Sequence, residues 1–263
     1  MFKKKNTLLM ITTVLVTGLM FTGCKGESTI KSGESETDTT VSTEALEDVV
    51  IRNFDMPEAG EKIAVITVKD YGEIKIKLFS DVSAKGTENF IGLAEMEYYD
   101  ELIFHRIIPD FMIQGGDPRG DGTGGKSIWG EKFEGGIAEG LYHFSGAVAY
   151  ANSQGTSTNG SQFYIVNTLE GSPYLGGSYN EDGSIHYNTT FSEAGINLPG
   201  NVEDIYMEKG GAPSLDGGYT VFGQVFEGLD IVREISTVET NEDDKPLKQV
   251  QMESVKIVEY QPE

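Results

Sequence analysis

From about residue 61 the chain alternates short β-branched and aromatic runs with glycine-bearing breaks, the pattern of half-buried strands separated by turns. The runs cover residues 63–69, 73–79, 104–108, 111–115, 146–151, 163–167, 219–226 and 250–258. Asp70-Tyr71-Gly72, between the first two, is a hairpin signal. Helical period shows in two places only. Within 84–96, Phe90, Leu93, Ala94 and Glu97 follow i, i+3, i+4 and i+7 with one polar member, and within 228–235 Leu229, Val232 and Ile235 recur every three residues. Eight short strands with two amphipathic helices predict an all-β domain: a closed, eight-stranded antiparallel barrel capped by the helices. A strand-rich sandwich with peripheral helices is the alternative.

The first 60 residues follow different rules. Lys3, Lys4 and Lys5 precede an uncharged apolar run from Leu8 to Thr22, about 15 residues long, which is short for a bilayer span and right for a signal-peptide core. Residues 1–23 are therefore expected to be a secretion signal. Thr22-Gly23-Cys24 resembles the lipobox of bacterial lipoproteins, with Phe21 in place of the usual leucine. This implies a lipidated Cys24 and attachment to the cell membrane on its extracytoplasmic side, because two acyl chains hold where one does not. From residue 25 to 48, 18 of 24 residues are Ser, Thr, Glu, Asp or Gly and none is aromatic, too little apolar surface to offset ordering entropy. Residues 24–60 are expected to be a flexible acidic tether, and 61–263 the folded domain.

Charge and composition narrow the function classes. With 42 acidic against 20 basic residues the formal charge is −22, which argues against phosphate recognition and so against a nucleic-acid partner. The single cysteine excludes an intramolecular disulfide, and one cysteine with three histidines leaves little for a zinc site. No metal and no cofactor are expected. Gly120, Gly122, Gly124 and Gly125 loosely imitate a dinucleotide loop but lack the surrounding strand-helix-strand unit. Asn180, Asp182 and Gly183 imitate half a calcium loop, yet Ser178 and Thr189 stand where its first and last acids belong.

The specific signal is a set of four blocks in order. They are the run from Phe104 to Asp117 (FHRIIPDFMIQGGD), Gly122-Thr123-Gly124-Gly125-Lys126, Asn159-Gly160-Ser161-Gln162-Phe163, and the run from Leu215 to Gly223 (LDGGYTVFG). This set resembles the signature of the cyclophilin family of peptidyl-prolyl cis-trans isomerases, over roughly residues 62–260. The resemblance implies Arg106 and Gln114 as catalytic residues. It places Phe111, Met112, Phe163, Tyr164, Leu215 and Tyr219 around a substrate proline, Gln162 near the substrate backbone, and Ala151 and Asn152 at the edge that pairs with an extended peptide. Ser214 and Tyr219 replace a tryptophan and a histidine of several eukaryotic members, which argues against tight cyclosporin inhibition. Tyr164 replaces a phenylalanine, and its hydroxyl needs a partner.

These residue types suit the chemistry. Amide resonance opposes Xaa-Pro rotation with a barrier of ~18–20 kcal/mol. A fixed cation that donates a hydrogen bond to the prolyl nitrogen interacts more strongly with the twisted state, where that nitrogen recovers its lone pair. Arginine is such a cation and rotation transfers no proton, so His105, beside Arg106 and on the opposite strand face, is given no general-base role. Taken singly, Phe111, Met112 and Phe163 read as readily as core, and Arg106 as a surface arginine paired with a carboxylate; the motif alone reverses this.

The reading is a peptidyl-prolyl isomerase, monomeric, acting on proline-containing unfolded or secreted polypeptides outside the cytoplasmic membrane. The alternatives are a non-catalytic chaperone using the same groove and a structural scaffold. Residues 168–213, with eight glycines and three prolines, form an insertion expected to be ordered but irregular, bordering the groove or decorating the surface.

Overall fold

The computed structural model describes residues 46–262, except 172, 175, 176, 180–184, 188, 189 and 192. The expected signal peptide, Cys24 and the first part of the tether lie outside them, as do Asn180, Asp182, Gly183 and Thr189. The strands are β1 (Lys62–Val68), β2 (Gly72–Leu78), β3 (Arg106–Ile108), β4 (Met112–Gly115), β5 (Ala147–Tyr150), β6 (Phe163–Val166), β7 (Gly177–Tyr179), β8 (Ile185–Tyr187), β9 (Val221–Glu227) and β10 (Met252–Glu259). Eight of them form one antiparallel sheet in the order β10-β1-β2-β9-β5-β6-β4-β3, and β7 pairs with β8 apart from it. Each of the eight corresponds to one of the runs read from the sequence.

The sheet curls into a half-barrel and stays open between β3 and β10, where closure was expected. The reason lies in β3, which is three residues long. The Ile107 N–H donates to the carbonyl of Asp244 in the turn 241–245 (2.8 Å), not to β10. Only the approach to β3 reaches across: the Phe104 N–H donates to Val250 O (2.9 Å) and the Met252 N–H to Leu102 O (2.8 Å).

Strand alternation sorts side chains into two cores. The concave side buries Ile66, Ile76, Ile113, Tyr150, Phe163 and Ile165 under α1 (Ala84–Glu95) and α3 (Leu229–Ser236), which contribute Phe90, Leu93, Val232 and Ile235. The helix over 84–96 ends at Glu95, and Glu97 takes a left-handed φ of 57° beyond it. On the convex side Met112, Ala147, Ala149, Tyr164, Val166 and Val221 form a second core. β5 and β6 are therefore buried on both faces, which explains their continuous apolar runs.

A third helix, α2 (Gly200–Lys209), lies inside the insertion and was not expected. It buries only Val202 and Tyr206, one i, i+4 pair, too short a stripe for periodicity to show. With Phe144 and Phe191 these residues make a third, small core against which Ile51 also packs.

That contact corrects the expected start of the folded domain. Residues 49–57, assigned to the tether, dock on the barrel. The Arg52 N–H donates to Gly140 O (2.8 Å), and Asn53, 1% exposed, bonds Tyr142 O and Gln224 Oε1 through its amide nitrogen (2.9 Å each). Five of the nine residues 49–57 are Val49, Val50, Ile51, Phe54 and Met56, so the low-hydrophobicity argument for residues 25–48 does not extend to them.

Candidate active site

The site is built on the convex face, where register fixes neighbours. Arg106 on β3 stands opposite Gln114 on β4, Gln114 opposite Tyr164 on β6, and Tyr164 opposite Ala149 on β5. Residues directly opposite share a face, so this row brings together side chains 58 positions apart in sequence. It borders a pocket of about 140 Å³ lined by Arg106, Phe111, Met112, Gln114, Ala151, Asn152, Tyr164, Leu215 and Tyr219. The floor is apolar: Met112 and Tyr164 are 2% and 4% exposed, with half-buried Phe111, Leu215 and Tyr219 around them.

Phe163 is not in this pocket. It is fully buried on the concave side, edge-on to Phe90 (5.3 Å between ring centroids) and Tyr99 (5.5 Å). Adjacent strand residues point to opposite faces, so Phe163 and Tyr164 cannot both line it.

Gln162 acts from beside the pocket. Its amide nitrogen donates to Gly122 O (3.0 Å) and Gly124 O (2.8 Å). Carbonyls only accept, so its Oε1 faces Gln114, whose Nε2 donates to it at 3.0 Å. Gln114 is thereby oriented. The glycine-rich loop that loosely imitated a dinucleotide motif serves as its anchor, and Gly116 lets that loop turn: its φ is 81°, and a Cβ there would come within 2.4 Å of Ser161 O.

Arg106 is half-exposed. Its Nε lies 3.2 Å from Asp244 Oδ2, and 43% of the Arg106 side chain stays accessible. Asp244, held at a φ of 60° in the turn that caps β3, was not read from the sequence, since 138 residues separate the two. His105 points away from the pocket and is 6% exposed, and burial, reinforced by Lys245 and Arg106 and opposed by Asp117, lowers its pKa.

The Tyr164 hydroxyl finds its partner in His143, with Nε2 at 3.0 Å. His143 Nδ1 is 2.7 Å from Asp216 Oδ1, and Asp216 Oδ2 accepts from the Tyr206 hydroxyl at 2.6 Å. Burial, with Tyr219 and Asp216 nearby, pushes the Tyr164 phenol well above its ordinary value and keeps it protonated. Among the described residues no cluster of three or more His, Cys, Asp or Glu is arranged to hold a metal ion.

A convex-face pocket with one half-exposed cation, an oriented amide and an apolar floor has the makeup that the motif resemblance implies for a peptidyl-prolyl isomerase. Comparison with known proteins gives the same class. The profile of the cyclophilin type peptidyl-prolyl cis-trans isomerases matches residues 63–257. The chain is 39% identical over 198 residues to a Staphylococcus aureus protein named as a peptidyl-prolyl cis-trans isomerase, covering 75% of this chain and 93% of that one. It is 42% identical over 203 residues to a Streptococcus pyogenes protein named as a bifunctional phosphatase and peptidyl-prolyl cis-trans isomerase, covering 75% of this chain but 39% of that one. Among solved structures it resembles a Cryptosporidium parvum cyclophilin type isomerase determined in the presence of the dipeptide Ala-Pro, at 28% identity and a TM-score of 0.55, covering 75% of this chain and 99% of that one. The chain belongs to the cyclophilin-type peptidyl-prolyl cis-trans isomerase family.

Proposed function

We propose that Arg106 is the catalytic residue of this isomerase and that the 140 Å³ pocket beside it receives the substrate proline. The observation that carries this is the register row Arg106, Gln114, Tyr164, which sets a cation, an oriented amide and an aromatic ring around one cavity. With the ring seated on Met112 and Tyr164, a terminal guanidinium nitrogen of Arg106 donates to the prolyl nitrogen as conjugation is lost. Asp244 occupies the Nε and leaves those terminal nitrogens for the substrate. Gln114, committed to Gln162 through its nitrogen, offers its side-chain oxygen to a substrate N–H. A charge-assisted hydrogen bond supplies ~1.5–3 kcal/mol of preference for the twisted state; the grip on the flanking backbone supplies the rest, while the ring is held alike throughout.

The clients proposed are proline-containing secreted polypeptides, met outside the cytoplasmic membrane by a domain anchored through lipid on Cys24. Lys3 to Lys5, the uncharged run after them and Thr22-Gly23-Cys24 support this placement. Loss of detergent-phase partitioning in Cys24→Ala is the expected result, and unchanged partitioning refutes the anchor. The catalytic reading is tested by isomerisation of a short Xaa-Pro peptide. Wild type should turn over, and Arg106→Ala should bind the peptide with turnover largely lost. Equal turnover in both overturns the assignment, and binding without turnover in either identifies a chaperone.

A further inference from the structure

Tyr164 is the one pocket-floor residue whose polar end is committed to the interior. Its ring faces the cavity, and its hydroxyl starts a buried chain of hydrogen bonds that leads into the insertion: Tyr164 to His143, His143 to Asp216, Asp216 to Tyr206 of α2. The His143 side chain is 1% exposed and Tyr206 is fully buried. The main-chain N–H of His143 closes the network, lying 3.0 Å from both Asp216 Oδ1 and the Tyr206 hydroxyl.

The chemistry of the chain sets its direction. An ionised carboxylate only accepts, so Asp216 requires the proton on His143 Nδ1; in the neutral ring Nε2 is then an acceptor and Tyr164 the donor. Tyr206 fixes the carboxylate from its other oxygen. Every link is satisfied, the condition under which a buried polar network imposes one geometry. A second contact ties the insertion to another lining residue: the Tyr174 ring stacks on Phe111 with centroids 4.2 Å apart and planes at 19°.

We infer that α2 and Tyr174 of the 168–213 insertion brace the proline pocket from behind its lining, with Tyr206 and His143 as positioning residues that hold the Tyr164 ring. This rests on the pocket being the isomerase site. A ring that packs on proline throughout the rotation contributes equally to ground and transition states, so its displacement raises KM and leaves kcat nearly unchanged. Losing Arg106 lowers kcat.

The test uses the full chain and a short Xaa-Pro peptide, with KM, kcat and peptide Kd measured together. In His143→Asn the shorter amide reaches Asp216 as Nδ1 does, but strands the Tyr164 hydroxyl. KM and Kd should rise about five- to tenfold with kcat within about twofold. Adding Tyr164→Phe removes the stranded hydroxyl and should lower both about threefold or more relative to His143→Asn alone. Tyr206→Phe, which keeps the buried ring and serves as the second variant should His143→Asn not fold, should raise both about threefold. Unchanged affinity in the single variants, or no recovery in His143→Asn/Tyr164→Phe, overturns the inference. Absence of wild-type turnover would overturn only the catalytic reading, since Kd still reports on the pocket.

Discussion

Asp244 Oδ2 lies 3.2 Å from Arg106 Nε, and the same residue's carbonyl accepts the Ile107 N–H at 2.8 Å. One turn thus ends the sheet at β3 and orients the cation of the site. Both side chains are 40% or more exposed, so solvent screens the pair and its value is positional. Asp244→Asn should lower kcat/KM by at most about fivefold, in keeping with an exposed pair of up to ~1 kcal/mol. Arg106→Ala should lower it about ten- to 150-fold, the equivalent of ~1.5–3 kcal/mol. Steady-state peptide isomerisation measures both, and a larger loss in Asp244→Asn would show that the carboxylate touches substrate.

Phe163 and Phe111 should separate stability from activity. Fully buried Phe163 sits among Phe90, Tyr99 and Phe104, so Phe163→Ala should cost about 3–5 kcal/mol in urea unfolding. Phe111→Ala, half-buried at the pocket wall, should cost less stability and more kcat/KM. The reverse order would return Phe163 to the substrate.

His105 gives the fold a pH dependence. Neither ring nitrogen has a hydrogen-bond partner among the described residues, and burial lowers the folded-state pKa below the ordinary 6.5. Above 6.5 both folded and unfolded chains carry a neutral ring. As pH falls through 6.5 the unfolded chain takes up a proton that the folded one refuses, so stability declines until the folded pKa is reached. Unfolding free energy should fall as pH drops below about 6.5, and His105→Gln should flatten that slope. An identical slope in the variant would assign the proton uptake elsewhere.

The N-terminal segment should stabilise the barrel it touches. Asn53→Ala strands Tyr142 O and N–H and Gln224 Oε1, at a cost of about 1–3 kcal/mol. A chain beginning at residue 61 should unfold at a lower urea midpoint than one beginning at residue 46. Equal midpoints would make the docking of residues 49–57 incidental.

The strands were legible because an alternating run, or in β5 and β6 a continuous apolar one, stands between turn signals. Arg106, Phe111, Met112, Gln114, Leu215 and Tyr219 were legible because they fall within contiguous motif blocks, and on β4 parity puts Met112 and Gln114 on one face. Phe163 was misplaced by overriding that same parity: with Gln162 and Tyr164 facing outward, the residue between them must face inward. Helix α2 escaped notice because its buried stripe is one residue pair. Pro199 before it and Gly210 after it were its available boundary signals.

By itself the sequence determined the strand set, the two barrel helices and the cavity-lining residues within the motif blocks, because local periodicity and short contiguous motifs act over a few residues. Only the tertiary structure decided where the sheet stays open, that Asp244 meets Arg106, and that Tyr206 reaches Tyr164 through Asp216 and His143. Those partners lie as far as 138 residues apart. No local pattern encodes such meetings; they follow from the sheet order and from which buried polar atoms must find one another once water is excluded.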